Sequence, residues 1–185
     1  DAVNKSNMEV EELALLTSEI PEDADCIVIM SPTADFSQEE TDKVISYLEN
    51  GGKALIFSSY SETDLPNFDS ILENYGVQRK SGMVVESDSD YYYPQMPYVL
   101  LPEIQSNDIT EEVQDSYIIA PMAQAIVPLD SYRDSITIES LLTTTKEAYI
   151  EADPENSTWT KTEDSETGAF DVGVSITETV DDKET

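Results

Sequence analysis

The chain has 185 residues, of which 40 are acidic and 9 are basic, so its formal net charge is −31. This charge argues against a nucleic-acid partner, because phosphate binding needs lysine and arginine, and it disfavours docking on anionic lipid. The single cysteine excludes an internal disulfide. No apolar run approaches the roughly 18 residues that a membrane span needs.

The length predicts one domain, over residues 10–176. We expect a flexible N-terminal segment at 1–9 and a charged tail at 177–185. Because the first residue is Asp1 rather than Met, we also expect the chain to be a piece of a longer protein. Residues 10–16 fit neither the helical nor the strand period cleanly, and we favour a strand there.

A β–α–β unit follows. Residues 26–30 form an unbroken apolar run, which fits a strand that is covered on both faces. Ser37 and Glu40 have the spacing of a capping box at a helix start, and Gly51 suits the left-handed residue after a helix end. A second apolar run at 54–57 completes the unit, so we expect two parallel neighbouring strands joined by a right-handed crossover.

The rest of the chain predicts one more helix and several short strands. Pro66 suits the first position of that helix, and Gly76 suits its end. Strands are predicted at 77–79, 83–85, 99–101, 117–120, 125–127, 136–144 and 170–176. Together the elements predict an α/β fold with a largely parallel central sheet flanked by helices, and a β-rich C-terminal portion.

Three stretches resemble the auxiliary domain of GldG-type ABC transport proteins, which are linked to gliding motility in some bacteria. They are residues 19–40 (EIPEDADCIVIMSPTADFSQEE), 47–57 (YLENGGKALIF) and 65–77 (LPNFDSILENYGV). The resemblance covers roughly residues 10–176. The same motifs are also similar to related domains of the class I glutamine-amidotransferase-like fold, including a subunit of intraflagellar transport.

The resemblance implies a flavodoxin-like or class I glutamine-amidotransferase-like domain. It implies that transmembrane helices of the parent protein hold this domain outside the cytoplasm, at the surface of a bacterial cell. The implied partners are the permease and ATPase subunits of an ABC transporter, reached through the parent chain, together with a small-molecule or protein ligand.

No catalytic apparatus is visible in the sequence. A serine or cysteine nucleophile needs a neighbouring base, and the chain has no histidine. The Gly51–Gly52 pair follows a helix rather than a strand, so it does not predict a phosphate-binding loop. We therefore expect a non-enzymatic domain with no cofactor and no metal site. Whether the acidic loop at 86–90 binds a cation is left open, because it lacks the glycine and terminal glutamate of an EF-hand loop.

The candidate contact residues lie where the two predicted parallel strands end, because ligands of open α/β sheets bind beyond the carboxyl ends of the strands. A tyrosine-rich segment adds aromatic side chains, which are enriched at interfaces. The predicted ligand- or partner-binding residues are Ser31, Pro32, Thr33, Asp35, Ser58, Ser59, Tyr60, Tyr91, Tyr92 and Tyr93. Two alternative functions stay open: a degenerate enzyme-fold scaffold for assembly of a membrane complex, and a calcium-stabilised surface domain.

Overall fold

The computed structural model describes residues 8–180 and 183–184. Within them, the helices are α1 (Gln38–Glu49) and α2 (Pro66–Asn74). The strands are β1 (Ile27–Met30), β2 (Ala54–Phe57), β3 (Val77–Arg79), β4 (Met83–Val85), β5 (Tyr92–Tyr93), β6 (Met96–Leu100), β7 (Glu103–Ile104), β8 (Ala120–Pro121), β9 (Ile126–Pro128), β10 (Ile136–Thr143), β11 (Tyr149–Glu151), β12 (Asp171–Val180) and β13 (Lys183–Glu184). Two 3₁₀ turns lie at Glu111–Val113 and Pro154–Asn156. Most of the predicted N-terminal segment 1–9, and residues 181, 182 and 185 of the predicted tail, lie outside the described residues.

The strands form small, mostly antiparallel sheets. Among the described residues, β1 and β2 are the one parallel pair, and the remaining sheets have the strand orders β13-β12-β10-β7, β5-β6-β8, β11-β4 and β3-β9. The predicted α/β fold with a largely parallel central sheet, flavodoxin-like or amidotransferase-like, is therefore wrong. A parallel pair needs a crossover of a dozen or more residues, usually a helix, and the described chain after α2 has no further α-helix to supply one.

Helix α1 begins and ends where the sequence predicts. The Ser37 hydroxyl accepts a hydrogen bond from the Glu40 backbone N–H at 3.3 Å, and the Ser37 N–H donates to the Glu40 carboxylate at 2.8 Å. This reciprocal arrangement is the predicted capping box. Gly51, just past the helix end, has a φ of +94°, a left-handed conformation that glycine adopts without strain.

The β1–β2 pair is parallel, as predicted, but α-helices cover only one of its faces. The covered face packs against Val44 and Leu48 of α1 and Ile71 of α2. Its residues are Ile27, Ile29, Ala54 and Ile56. The prediction that both faces are covered is wrong for the described residues, because an apolar run without alternation does not reveal whether a second layer exists.

We call the uncovered side of this pair the open face. It consists of Val28, Met30, Leu55 and Phe57, which are 57%, 68%, 51% and 44% exposed. The strand register pairs Val28 with Leu55 and Met30 with Phe57, so the four side chains are neighbours on one surface.

The antiparallel part of the molecule has its own core. Its buried residues are Val84, Leu100, Ala123, Ala125 and Ala148. The long strand β12 pairs with β10 and continues to Val180, past the predicted strand end at residue 176. This part of the chain contains most of the strands, and several of its pairings, such as β3 with β9 and β4 with β11, join segments that are far apart in sequence.

A buried carboxylate joins β4 to the segment after β10. Glu86 follows β4 and is only 2% exposed. Its carboxylate accepts from the backbone N–H groups of Ser87 and Asp88 at 2.8 and 3.0 Å. It also accepts from the N–H and hydroxyl of Thr145, at 3.1 and 3.0 Å. The first residue of the predicted acidic loop is therefore an internal anchor.

The segment before β1 contains a turn and no strand. Thr17 and Ser18 donate their N–H groups to the carbonyl oxygen of Ala14, both at 3.0 Å. The strand predicted at 10–16 is wrong, because Leu15 alone of its apolar residues packs against the core around α1.

Neither of the described helices combines the length and the apolar character that crossing a membrane requires.

Candidate functional site at the carboxyl ends of β1 and β2

Two loops, residues 31–35 and 58–60, form what we call the rim. The Ser31 N–H donates to the Phe57 carbonyl oxygen at 2.8 Å, and the Tyr60 N–H donates to the Met122 carbonyl oxygen at 2.7 Å. Ser31 and Met122 have φ values of +41° and +52°, which non-glycine residues rarely adopt. Strained backbone of this kind is often found at functional sites, and here it occurs in the rim at Ser31 and next to the rim at Met122.

A polar pocket of about 300 Å³ opens beside the second rim loop. Its walls include Tyr60, Glu62, Asp64, Asp69, Arg79 and Gln124. We call it the rim pocket. Of the predicted contact residues, Tyr60 is the one that lines it.

Arg79 forms a fixed wall of the rim pocket. Its side chain is only 8% exposed. The guanidinium donates from Nε to Asp69 Oδ1 at 2.7 Å and from Nη1 to Gln124 Oε1 at 2.9 Å. It also lies over the Phe68 ring, 5.1 Å from the ring centroid, a favourable cation–π position. The charge of Arg79 is thus already compensated within the protein.

Carboxylates line the rim pocket and lie near it: Glu62, Asp64 and Asp69 are in its walls. A hydrogen bond from Glu62, together with repulsion from Glu62 and Asp153, raises the pKa of Glu155. Burial raises the pKa of Tyr60, and the negative charges of Glu62, Glu155 and Asp153 raise it further. The negative charges that contribute to both shifts favour a cation over an anion in this environment.

Asp35, another predicted contact residue, is a helix cap. Its carboxylate accepts from the Asn67 N–H at 3.1 Å and from the Phe68 N–H at 3.0 Å. These donors belong to the first turn of α2, where backbone N–H groups have no partner within the helix. The residue that precedes the helix, Leu65, has no side chain that can supply this bond. The position of Asp35 is therefore explained by folding alone.

We expect Asp35→Ala to lower the free energy of unfolding by about 1–2 kcal/mol, because it removes the acceptor for two N–H groups at the start of α2. Chemical denaturation followed by circular dichroism measures the loss. Asp115→Ala is the matched control, since Asp115 is exposed and makes no side-chain hydrogen bond with the described residues. Equal stabilities of the two variants would contradict the capping role.

The remaining rim residues show no arrangement that would support catalysis. Pro32 and Thr33 lie in the bend after β1, and Ser58 and Ser59 precede Tyr60. Within the described part of the chain, neither serine hydroxyl is hydrogen-bonded to a basic side chain. Both serines therefore lack the neighbouring base that an activated nucleophile needs.

The tyrosine-rich segment lies in a different sheet from the rim strands. Tyr92 and Tyr93 form β5 and pair with β6. The Tyr91 carbonyl oxygen accepts from the Leu101 N–H at 2.8 Å, and the charge of Glu103 raises the pKa of Tyr91. No hydrogen bond among the described residues links these tyrosines to the rim, so the predicted contact residues form two separate groups.

A wider depression of about 670 Å³ lies between residues 19–24 and α1. Its lysine, Lys43, is fully engaged. The ammonium group contacts the carboxylates of Glu19 and Glu39 at 3.1 and 3.2 Å, and it donates to the carbonyl oxygen of Leu15 at 3.0 Å. These contacts fasten residues 15–19 to α1. Of the two depressions, the rim pocket is the one that a predicted contact residue, Tyr60, lines, and it is the candidate site.

Sequence reasoning missed Arg79, Gln124 and Glu155. Gln124 is 45 positions away from Arg79 along the chain, and antiparallel pairing that the predicted parallel sheet did not include brings it to the pocket. Glu155 lies near Tyr60 and Glu62. The sequence feature that could have pointed to this pocket is Arg79 itself, a basic residue on a predicted strand in a chain with only nine basic residues.

Among the residues that the structure describes, no three His, Cys, Asp or Glu side chains are placed to hold a metal ion.

Comparison with known proteins gives the family. The model of the family described as "ABC-type uncharacterized transport system" matches residues 1–181. The chain belongs to this family. Membership supports an accessory role for the chain in an ABC transport system.

Other comparisons inform the fold of this ABC transport family member. Among solved structures, the N-terminal domain of mmIFT52 is similar, with a TM-score of 0.56 and 18% sequence identity over 78% of this chain and 67% of that chain. At this identity the similarity concerns the fold alone. A search of curated proteins gives no significant match.

Proposed function

We propose that the chain is a non-enzymatic, extracytoplasmic domain of a GldG-type accessory subunit, and that it binds a substrate or a partner protein of the transport system at the rim. The domain is anchored to the bacterial cell membrane through the parent protein. Its partners are the permease and ATPase subunits, reached through that parent chain.

The observation that carries this proposal is the composition of the rim pocket. Arg79, Gln124 and Tyr60 are polar groups held in place on the pocket walls, which suits recognition of a ligand. The nearby Ser58 and Ser59 have no histidine to activate them, because the chain contains none. The site thus offers hydrogen-bonding groups and the carboxylates of Glu62 and Asp64 without a nucleophile–base pair.

A second candidate, a scaffold for assembly of the membrane complex, is favoured by the open face. Exposed apolar patches on soluble domains mark interaction sites with other proteins.

The calcium alternative gains no such support within the described residues. Glu86, the first residue of the acidic loop, already accepts four hydrogen bonds with its carboxylate.

The proposal is tested on the full-length parent protein in its own cells. A membrane-impermeant maleimide should label Cys26 in intact cells, since Cys26 is exposed, and a parent protein with Cys26→Ser gives the background. After solubilisation, the tagged parent protein should co-purify with ATPase and permease subunits. The purified chain should not hydrolyse ATP, glutamine or esters.

Two results would overturn the proposal. The first is labelling of Cys26 only after the cells are lysed, which would place the domain in the cytoplasm. The second is turnover that disappears in Ser58→Ala or Ser59→Ala, which would make the rim an active site. Co-purification together with labelling, but without turnover, supports the proposal.

A further inference from the structure

The open face lacks the second packed layer that usually covers parallel strands. Parallel strands occur almost only in sheets that are covered on both faces, usually by helices. Here the side chains of Val28, Met30, Leu55 and Phe57 are between 44% and 68% exposed, and the register places them side by side. Four such residues make a contiguous apolar patch on the order of several hundred Å², a size that is often functional on a monomer.

Charge disfavours two of the simplest ways to cover this face. A second copy of the chain would bring another formal charge of −31 against the first, and charge of one sign keeps proteins apart. An anionic lipid surface is repelled for the same reason. The same charge attracts a polypeptide that carries lysine or arginine.

A local site for that positive charge follows directly after β2. Phe57 is the last residue of the strand, and Tyr60, three positions later, lines the rim pocket. Glu62 lines the pocket, and Glu155 lies near enough to Glu62 for the two carboxylates to repel each other. Within the described part of the chain, neither carboxylate has a lysine or arginine partner. An ammonium or guanidinium group placed between them would relieve their mutual repulsion.

We propose that the open face binds an amphipathic, basic α-helix of a partner polypeptide. The apolar stripe of the helix covers Val28, Met30, Leu55 and Phe57, and a lysine or arginine on it pairs with Glu62 and Glu155. A helix is the occupant that parallel strands normally have on a face, and its side chains at i, i+3, i+4 and i+7 can span two adjacent strands. This inference deepens the proposed binding function, on which it rests, by naming the chemistry of the partner.

The test uses the purified chain and a peptide of about 18 residues, or five helical turns, made of leucine and lysine at helical spacing. We expect saturable binding that weakens as salt rises. The double variant Met30→Gln with Phe57→Gln should weaken binding at least tenfold while it keeps the circular dichroism spectrum of the parent chain. Glu62→Gln with Glu155→Gln should also weaken binding and reduce its salt dependence.

Matched controls separate this site from general attraction to an acidic protein. The double variant Ile109→Gln with Tyr117→Gln removes two other exposed apolar residues, 68% and 87% exposed, and should bind as the parent chain does. A peptide with the same composition but no helical stripe, and a leucine–glutamate helix, should bind at least tenfold more weakly.

Equal binding by the open-face variant and the parent chain would overturn the inference. A stable dimer in sedimentation experiments that dissociates in the open-face variant would also overturn it, because a second copy would then be the occupant. These failures are distinguishable from failure of the proposed function. Co-purification with ATPase and permease subunits and labelling of Cys26 in intact cells do not depend on the peptide.

Discussion

Glu86→Gln should lower the free energy of unfolding by about 2–3 kcal/mol, although the two side chains have nearly the same shape. The carboxylate of Glu86 accepts four hydrogen bonds, three on Oε1 and one on Oε2. A glutamine amide has one oxygen and one NH₂ group. Whichever way the amide is turned, at least one donor from Ser87, Asp88 or Thr145 faces another donor in a site that is only 2% exposed.

The measurement is urea denaturation at neutral pH, with Glu112→Gln as the control. Glu112 is exposed in the 3₁₀ turn Glu111–Val113 and makes no side-chain hydrogen bond with the described residues. Its replacement should change stability by no more than about 0.5 kcal/mol. If the two glutamine variants had the same denaturation midpoint, Glu86 would not be the anchor between β4 and the segment after β10.

Phe68→Ala should be at least as damaging, with an expected loss of about 3–5 kcal/mol. Phe68 is fully buried in α2. Its ring lies 5.9 Å from the Phe36 ring, centroid to centroid, and beneath the Arg79 guanidinium. Truncation therefore leaves a cavity and removes the surface on which Arg79 rests. The rim pocket should lose order together with the core.

Phe57→Ala on the open face is the matched control, because the same atoms are removed from a side chain that is 44% exposed. We expect it to cost about 1 kcal/mol or less. If Phe68→Ala does not fold, Phe68→Leu should still fold with a smaller loss and permit the comparison. Similar losses for alanine at positions 57 and 68 would mean that the open face is buried in solution.

The features that the sequence predicted correctly are those that depend on residues close together in the chain. Ser37 and Glu40 are three residues apart, and their capping box needs no tertiary contact. Gly51 and Gly76 end their helices through a local backbone preference, with φ values of +94° and +82°. For the same reason, the parallel β1–β2 pair could be predicted from one helix between two apolar runs.

The features that the sequence did not predict depend on distant partners. Strand β4 pairs with β11, where Val85 lies opposite Tyr149, and nothing near residue 85 specifies that choice. The prediction of a parallel sheet was wrong for these strands, because the sequence of a short strand says little about which strand it will pair with. Hydrogen bonds to Asp69 and Gln124 hold the Arg79 side chain in the wall of the rim pocket, and Gln124 is 45 residues away in the chain.

The chain's single tryptophan offers an intrinsic spectroscopic reporter. Trp159 packs against Tyr98 of β6 with ring centroids 4.7 Å apart, and its φ is +54°. Its emission is therefore tied to the docking of the loop after Asn156 onto β6. Tryptophan fluorescence, excited at the indole band, would report detachment of that loop without any introduced dye. It would do so separately from the unfolding of the helices.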